Sequence, residues 1–329
     1  MLKVEAFVST FNRTETMVNK TSPRRLKPML ALASATLVAI GILAPVSAQA
    51  AVLTPANTGT ISYAPITVLD SKLKSCIQER VNELKTWGKV PDTKLTRENV
   101  AKITYLHCDG GIWSLSGLQH LTGITQLYLT ARTAPNTFSS VPTLTAPLTH
   151  VALYTDNLVN TGLSGISKLK LTDLFVTSGP KLTNLSALAT MPQPTGATFR
   201  NGGLTDVSGV KHWISSQNIE FSNQNILDAS PMKNHPGKLS FSNQGQSAAG
   251  PIKIADGVFG KGLVNPAKGQ HGEEVWAYSL TNNVTVSSAG GQLTPSWTGS
   301  GPCETTVVTM HFGTDDYFHG DMQQTVRCS

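Results

Sequence analysis

A chain of 329 residues with 26 Lys and Arg against 20 Asp and Glu looks basic, but six of those cations and only two of the acids fall in its first 50 residues. Beyond that point the balance is 20 to 18 and no basic patch remains, so neither nucleic acid nor an anionic membrane surface is an expected partner. The four cysteines, Cys76, Cys108, Cys303 and Cys328, lack the paired C-x-x-C spacing of a zinc site and are even in number, which favours two disulfides in an oxidising compartment.

Residues 1–50 read as a secretory signal peptide. Arg24, Arg25 and Lys27 precede an apolar run from Met29 to Leu43, and Ala48-Gln49-Ala50 supplies the small-x-small pattern of a cleavage site. The run is shorter than the roughly 20 residues of a spanning helix, which argues against a membrane anchor. Met17, ahead of the same basic cluster, is an alternative start. Residues 51–67 read as a linker. No second apolar run of spanning length follows, and Arg327-Cys328-Ser329 ends the chain without an LPxTG-like sorting signal, so the mature protein is expected to be released, without membrane insertion, and monomeric.

From residue 68 to 101 the pattern is helical. Leu69, Leu73, Ile77, Val81 and Leu84 recur at steps of three and four behind Asp70, a residue suited to an N-cap. Residues 102–246 then repeat themselves about seven times. The apolar pairs Val141/Leu144, Leu163/Ile166, Leu185/Leu188, Val207/Val210 and Ala229/Met232 keep a constant step of 22. Each rung carries a short alternating run: Leu106-His-Cys108, Leu127-Tyr-Leu129, Val151-Ala-Leu153, Leu174-Phe-Val176, Ala197-Thr-Phe199, Ile219-Glu-Phe221 and Leu239-Ser-Phe241. Alternation turns the flanking residues to one side and the central one to the other, so stacked copies form a parallel sheet with one buried face. The unit is a leucine-rich repeat, and the fold class expected is an α/β solenoid, a leucine-rich-repeat horseshoe.

The stretch KLTRENVAKITYLHCDGGIWSLSGLQHLTGITQLYLT, from Lys94 to Thr130, resembles the 22-residue repeats of bacterial internalins, as do LTDVSGV at Leu204 and ILDASPM at Ile226. The resemblance implies that the helix is an N-terminal cap, with a second short turn at Thr96 to Val100, and that the partner is a host-cell receptor. It departs from the family where an Asn is usual, three residues after L-x-L. Here those places hold Gly111, Arg132, Asp156, Gly179, Gly202, Gln224 and Gln244. The turns must therefore be satisfied in another way.

After Gln246 the composition shifts to Gly, Thr, Val and Ser, with alternating runs at Val275 to Leu280, Val284 to Val286 and Thr305 to Phe312. Residues 247–329 are expected to form a small all-β domain, an antiparallel sandwich. The internalin resemblance implies an Ig-like module in this place. Of the three possible disulfide connectivities, Cys76 with Cys108 and Cys303 with Cys328 keeps each bridge inside one predicted domain.

Candidates for chemistry are few. His311 and His319 with Asp315, Asp316 and Asp321 have the composition of a Ca²⁺ site, but also of a solvated hairpin turn, and their spacing is not that of an EF-hand. His107 and Asp109 share an exposed strand, and Gly162 lies in the repeat register, outside any nucleophile elbow. No enzyme activity, cofactor or metal is expected. The outward side chains of the rungs remain: Tyr105, His107, Tyr128, Tyr154, Phe175, Arg200 and Glu220 on the concave sheet, with His150, Ala152, Asp173 and Lys238 among their neighbours. Exposed aromatics and arginine on adjacent rungs are the residue types that anchor protein interfaces. A protein partner is thus expected, with a glycan or mucin ligand as the alternative, or a spacer role in which the repeats present the C-terminal domain.

Overall fold

A computed structural model describes residues 64–131, 140–237, 239–247, 249–313 and 317–329. The expected signal peptide and most of the expected linker, together with Arg132, Lys238, Asp315 and Asp316, lie outside the described residues.

Helix α1, Ser71–Thr86, buries Leu73, Ile77, Val81 and Leu84, and the short α2, Arg97–Val100, follows with Thr96 as its N-cap. Leu69 was expected in the apolar stripe, yet it is 61% exposed. Asp70 is the cap, so Leu69 precedes the first helical turn and has no helical face to share. The disulfide Cys76–Cys108 ties α1 to the first strand.

Six strands form one parallel sheet in chain order: β1 (Tyr105–Asp109), β2 (Gln126–Thr130), β3 (His150–Thr155), β4 (Asp173–Ser178), β5 (Gly196–Arg200) and β6 (Asn218–Ser222). Opposite each of the last four rungs a 3-10 turn carries the second apolar pair inward, at Ser164–Ile166, Ser186–Leu188, Ser208–Val210 and Ser230–Met232. All ten residues of the 22-step pairs are buried. The arrangement resembles a leucine-rich-repeat solenoid, each rung covering the apolar edge of the next.

Three of the turns that lack the asparagine usual in internalins, those at Gly202, Gln224 and Gln244, are satisfied in two ways. Gln224 and Gln244 are fully buried, and their Oε1 atoms reach back to accept the amides of Leu204 at 3.1 Å and Ile226 at 2.9 Å. Gln244 Nε2 also donates to the carbonyl of Phe221 at 2.8 Å. One place earlier in each turn, Asn201, Asn223 and Asn243 all adopt a φ of 53°, a left-handed conformation that asparagine tolerates better than most side chains. Asn223 Nδ2 donates to Asn201 Oδ1 at 2.7 Å, linking asparagines on two neighbouring rungs one residue before the expected place.

The seventh rung departs from the expected stack. Strand β7 (Phe241–Gln244) meets the sixth rung through the bridge Glu220↔Ser240 and the Asn223 amide donating to the Ser242 carbonyl at 3.0 Å, and it also pairs in parallel, with a shift of register, with β15 (Phe318–Arg327). The strands β8 (Ile252–Lys253) and β9 (Gly257–Val258) pair with β15 in the same sense. The C-terminal sheet is therefore mixed, not the expected purely antiparallel one: β11 (Ala277–Ser279) and β14 (Thr306–Gly313) complete it on the antiparallel side. A second sheet joins β10 (Leu263–Val264), β13 (Gln292–Trp297) and β12 (Val284–Ala289). The Cys303–Cys328 disulfide closes the open end of the β14–β15 hairpin, beside the Thr306↔Val326 pair. A row of phenylalanines runs through the core from the repeats into this region: Phe199, Phe221, Phe241 and Phe318 have successive ring-centroid spacings of 5.5, 5.0 and 5.8 Å. Among the described residues no helix is long and apolar enough to cross a membrane.

Candidate binding face

The parallel register sorts the outward side chains into three rows across the sheet. The first runs Tyr105, Gln126, His150, Asp173, Gly196, Asn218; the second His107, Tyr128, Ala152, Phe175, Thr198, Glu220; the third Asp109, Thr130, Tyr154, Thr177, Arg200, Ser222. The seven candidate residues lie in all three rows, and contact groups them by neighbourhood more than by row.

At the capped end, the Tyr105 and Tyr128 rings stand 5.6 Å apart, with His107 against Tyr128 at 6.1 Å. His107 Nε2 lies 3.2 Å from Asp109 Oδ1. Arg80 of α1, which no repeat pattern singles out, reaches over the Tyr105 ring at 5.8 Å and over Trp87 at 5.1 Å, and pairs with Glu83. Burial raises the phenol pKa of Tyr105, with Asp109 adding and Arg80 opposing. Burial likewise raises Tyr128, helped by its neighbours Tyr105, Asp173 and Tyr154.

In the middle, Tyr154 packs on Phe175 at 5.1 Å across adjacent rungs, and the Arg200 guanidinium sits over the Phe175 ring at 5.6 Å. Glu220 holds that guanidinium by two parallel hydrogen bonds, from Nε at 3.0 Å and Nη2 at 2.7 Å. The planar fork is thus fixed in orientation, which a lysine could not achieve. Tyr154, Phe175, Arg200 and Glu220 make one continuous cluster. Ala152, expected among the outward residues, is buried, because its register neighbours Tyr128 and Phe175 are large and close over it.

Between the two groups lies a pair that the choice of aromatic residues passed over. His150 Nε2 stands 3.2 Å from Asp173 Oδ2, and Thr149 Oγ1 meets His150 Nδ1 at 2.8 Å. Burial raises the Asp173 pKa, and the charge of His150 partly offsets this. The rung beyond holds Gly196, where a Cβ would come within 2.9 Å of Asp173 Oδ1, so the missing side chain leaves the carboxylate its place. The signal was present in the register: a glycine set beside an acid in one row.

The other candidates for chemistry stay apart from this face. His311 Nδ1 and Asp321 Oδ1 are paired at 2.8 Å on β14 and β15, and among the described residues no group of three His, Cys, Asp or Glu is arranged for a metal.

No family model matches the chain. No curated protein matches it either. Among solved structures it is similar to an internalin from Listeria monocytogenes, at 16% identity and a TM-score of 0.35, over 56% of this chain and 61% of that one. It is also similar to the CBM51-2 and INT domains of Clostridium perfringens ZmpB, solved in complex with GlcNAc, at 13% identity and a TM-score of 0.17, over 80% of this chain and 36% of that one. The chain thus spans less than two thirds of either. Neither likeness bears on what it binds.

Proposed function

We propose that this is a secreted, internalin-like leucine-rich-repeat protein that binds a protein partner through the exposed face of its six-stranded sheet, without catalysing a reaction. In this reading residues 247–329 are an Ig-like module that covers the last rung. The observation that carries it is the cluster Tyr154, Phe175, Arg200 and Glu220, with its rings in contact and its arginine held by two hydrogen bonds. Aromatic and arginine anchors that are ordered before binding lose little side-chain entropy on association, which is how hot spots gain their share of affinity. Two disulfides among four cysteines support an oxidising, extracellular setting.

A glycan is the second reading, favoured by one feature. The Asp173 carboxylate, beside the side-chain-free position of Gly196 and two residues before Phe175 on the same strand, offers a hydrogen-bond acceptor next to an aromatic surface.

The test is capture of surface proteins by immobilised residues 51–329, run beside a Tyr154→Ala, Phe175→Ala variant. A discrete protein held by the parent and lost by the variant is the expected result. Equal capture by both sinks the proposal, and capture abolished by glycosidase treatment of the extract transfers the assignment to a glycan.

A further inference from the structure

On the side of the repeats that carries the 3-10 turns lies a cleft of about 840 Å³, lined among others by Lys211, His212, Ile214, Lys233, Lys268 and His271. That size is within the roughly 300–1,000 Å³ of small-molecule clefts. The repeat itself produces the charge. Lys211 and Lys233 are the residues that close the 3-10 turns Ser208–Val210 and Ser230–Met232, one period of 22 apart. They therefore stand on neighbouring rungs, about 5 Å apart along the stack.

The opposite wall comes from the C-terminal region. Lys268 accepts from the Ala229 amide at 2.9 Å and donates its own amide to the Leu227 carbonyl at 2.8 Å. Gln270 takes the Leu239 amide at 3.0 Å and donates to the carbonyls of His235 and Gly237. These bonds fix the two walls against each other before any ligand arrives.

The charges in the cleft are all of one sign. Among the described residues that line it there is no Asp or Glu, and none of the three lysines is in an ion pair. Asp228 and Glu273 lie on the same two segments and keep their charge, accepting the backbone amides of Ser230 at 2.9 Å and His271 at 2.8 Å, and neither lines the cleft. In a chain whose balance beyond residue 50 is 20 to 18, three lysines lining one cleft with no carboxylate in its lining are a local departure from neutrality. Fixed like charges that face a cleft concentrate anions there.

We propose that this cleft is an anion-binding site for a sulfated oligosaccharide. Lys211, Lys233 and Lys268 meet the sulfates, and Ile214, 45% exposed, with Pro231 supplies an apolar surface for the sugar ring. Two sulfate-binding lysines on adjacent rungs demand a ligand with more than one anionic group. The site is separate from the exposed sheet face, so it stands or falls independently of the protein-binding reading.

The experiment is calorimetric titration of residues 51–329 with a heparin-derived tetrasaccharide, its desulfated counterpart and inorganic sulfate. The sulfated sugar is expected to bind and the other two to fail at the same concentration. Lys211→Gln with Lys233→Gln should weaken binding by about tenfold or more, at an unchanged melting temperature, and lower the slope of log affinity against log salt by about two. The pair Lys168→Gln, Lys170→Gln, placed outside this cleft, should leave binding as it was. Absence of binding, an equal loss from the control pair, or equal binding of inorganic sulfate would each overturn the proposal.

Discussion

Asp70 Oδ2 accepts the backbone amide of Trp113 at 2.6 Å, across 43 residues of sequence, while Oδ1 of the same carboxylate caps α1 by accepting the amides of Lys72 and Leu73, both at 2.8 Å. Asp70 is wholly buried, and Ser114 donates to it as well, at 3.2 Å. One side chain thus starts the helix and fastens it to the loop after the first strand. Asp70→Ala removes the cap and leaves buried amides without an acceptor, so it should cost about 2–4 kcal/mol. Denaturant unfolding monitored by Trp fluorescence measures this. A change below about 0.5 kcal/mol, the range of an ordinary surface substitution, would mean that water replaces the carboxylate.

Gly202 is small because Gln224 is long. A Cβ at residue 202 would stand 2.7 Å from Gln224 Oε1 and 2.6 Å from Ser178 Oγ, so Gly202→Ala must displace the amide that accepts from Leu204. The expected loss is about 1–3 kcal/mol. Gln224→Ala removes the bond and one of the two obstacles, leaving Ser178 Oγ, so the double change should cost less than the sum of the single ones. Additive losses in a double-mutant cycle would show that the two positions are uncoupled.

Phe241 is the joint of the phenylalanine row, stacked on Phe221 from the sixth rung and edge-on to Phe318 of β15. Its strand β7 bonds to both sheets. Phe241→Ala should cost about 3–5 kcal/mol and expose the chain between the repeats and the C-terminal sheets to protease. A cleavage pattern unchanged from the parent would mean that the backbone bonds of β7 hold the two parts together unaided.

The sheet was legible in the sequence because its signal is local and repeated: L-x-L marks the strand, and the step of 22 marks the turn that faces it. Whatever depends on a neighbour's size or on distant chain was hidden. Gln224 fills the role of the missing asparagine only because Gly202 on the previous rung makes room. Ala152 alternates outward, yet Tyr128 and Phe175 on either side bury it. The parallel pairing of β7 with β15 joins segments some 75 residues apart, which no periodicity announces. On the exposed face the aromatic residues could be read directly, whereas the Arg200–Glu220 grip and the His150–Asp173 pair required the register between rungs.

Asp173 provides the pH test of that face. Burial raises its folded-state pKa above the ordinary value of 3.8, with His150 opposing. In the pH window between those two values the folded protein holds more protons than the unfolded chain. Its contribution to stability is therefore fully present below pH 3.8 and is lost as pH rises through the raised pKa. Asp173→Asn has no charge to bury, so its stability relative to the parent should grow with pH across that window and then level off. Urea midpoints for both proteins from about pH 3 to 7 give the comparison. If the difference is flat, or falls with pH, the ion pair with His150 outweighs burial and Asp173 belongs to a salt-bridged surface.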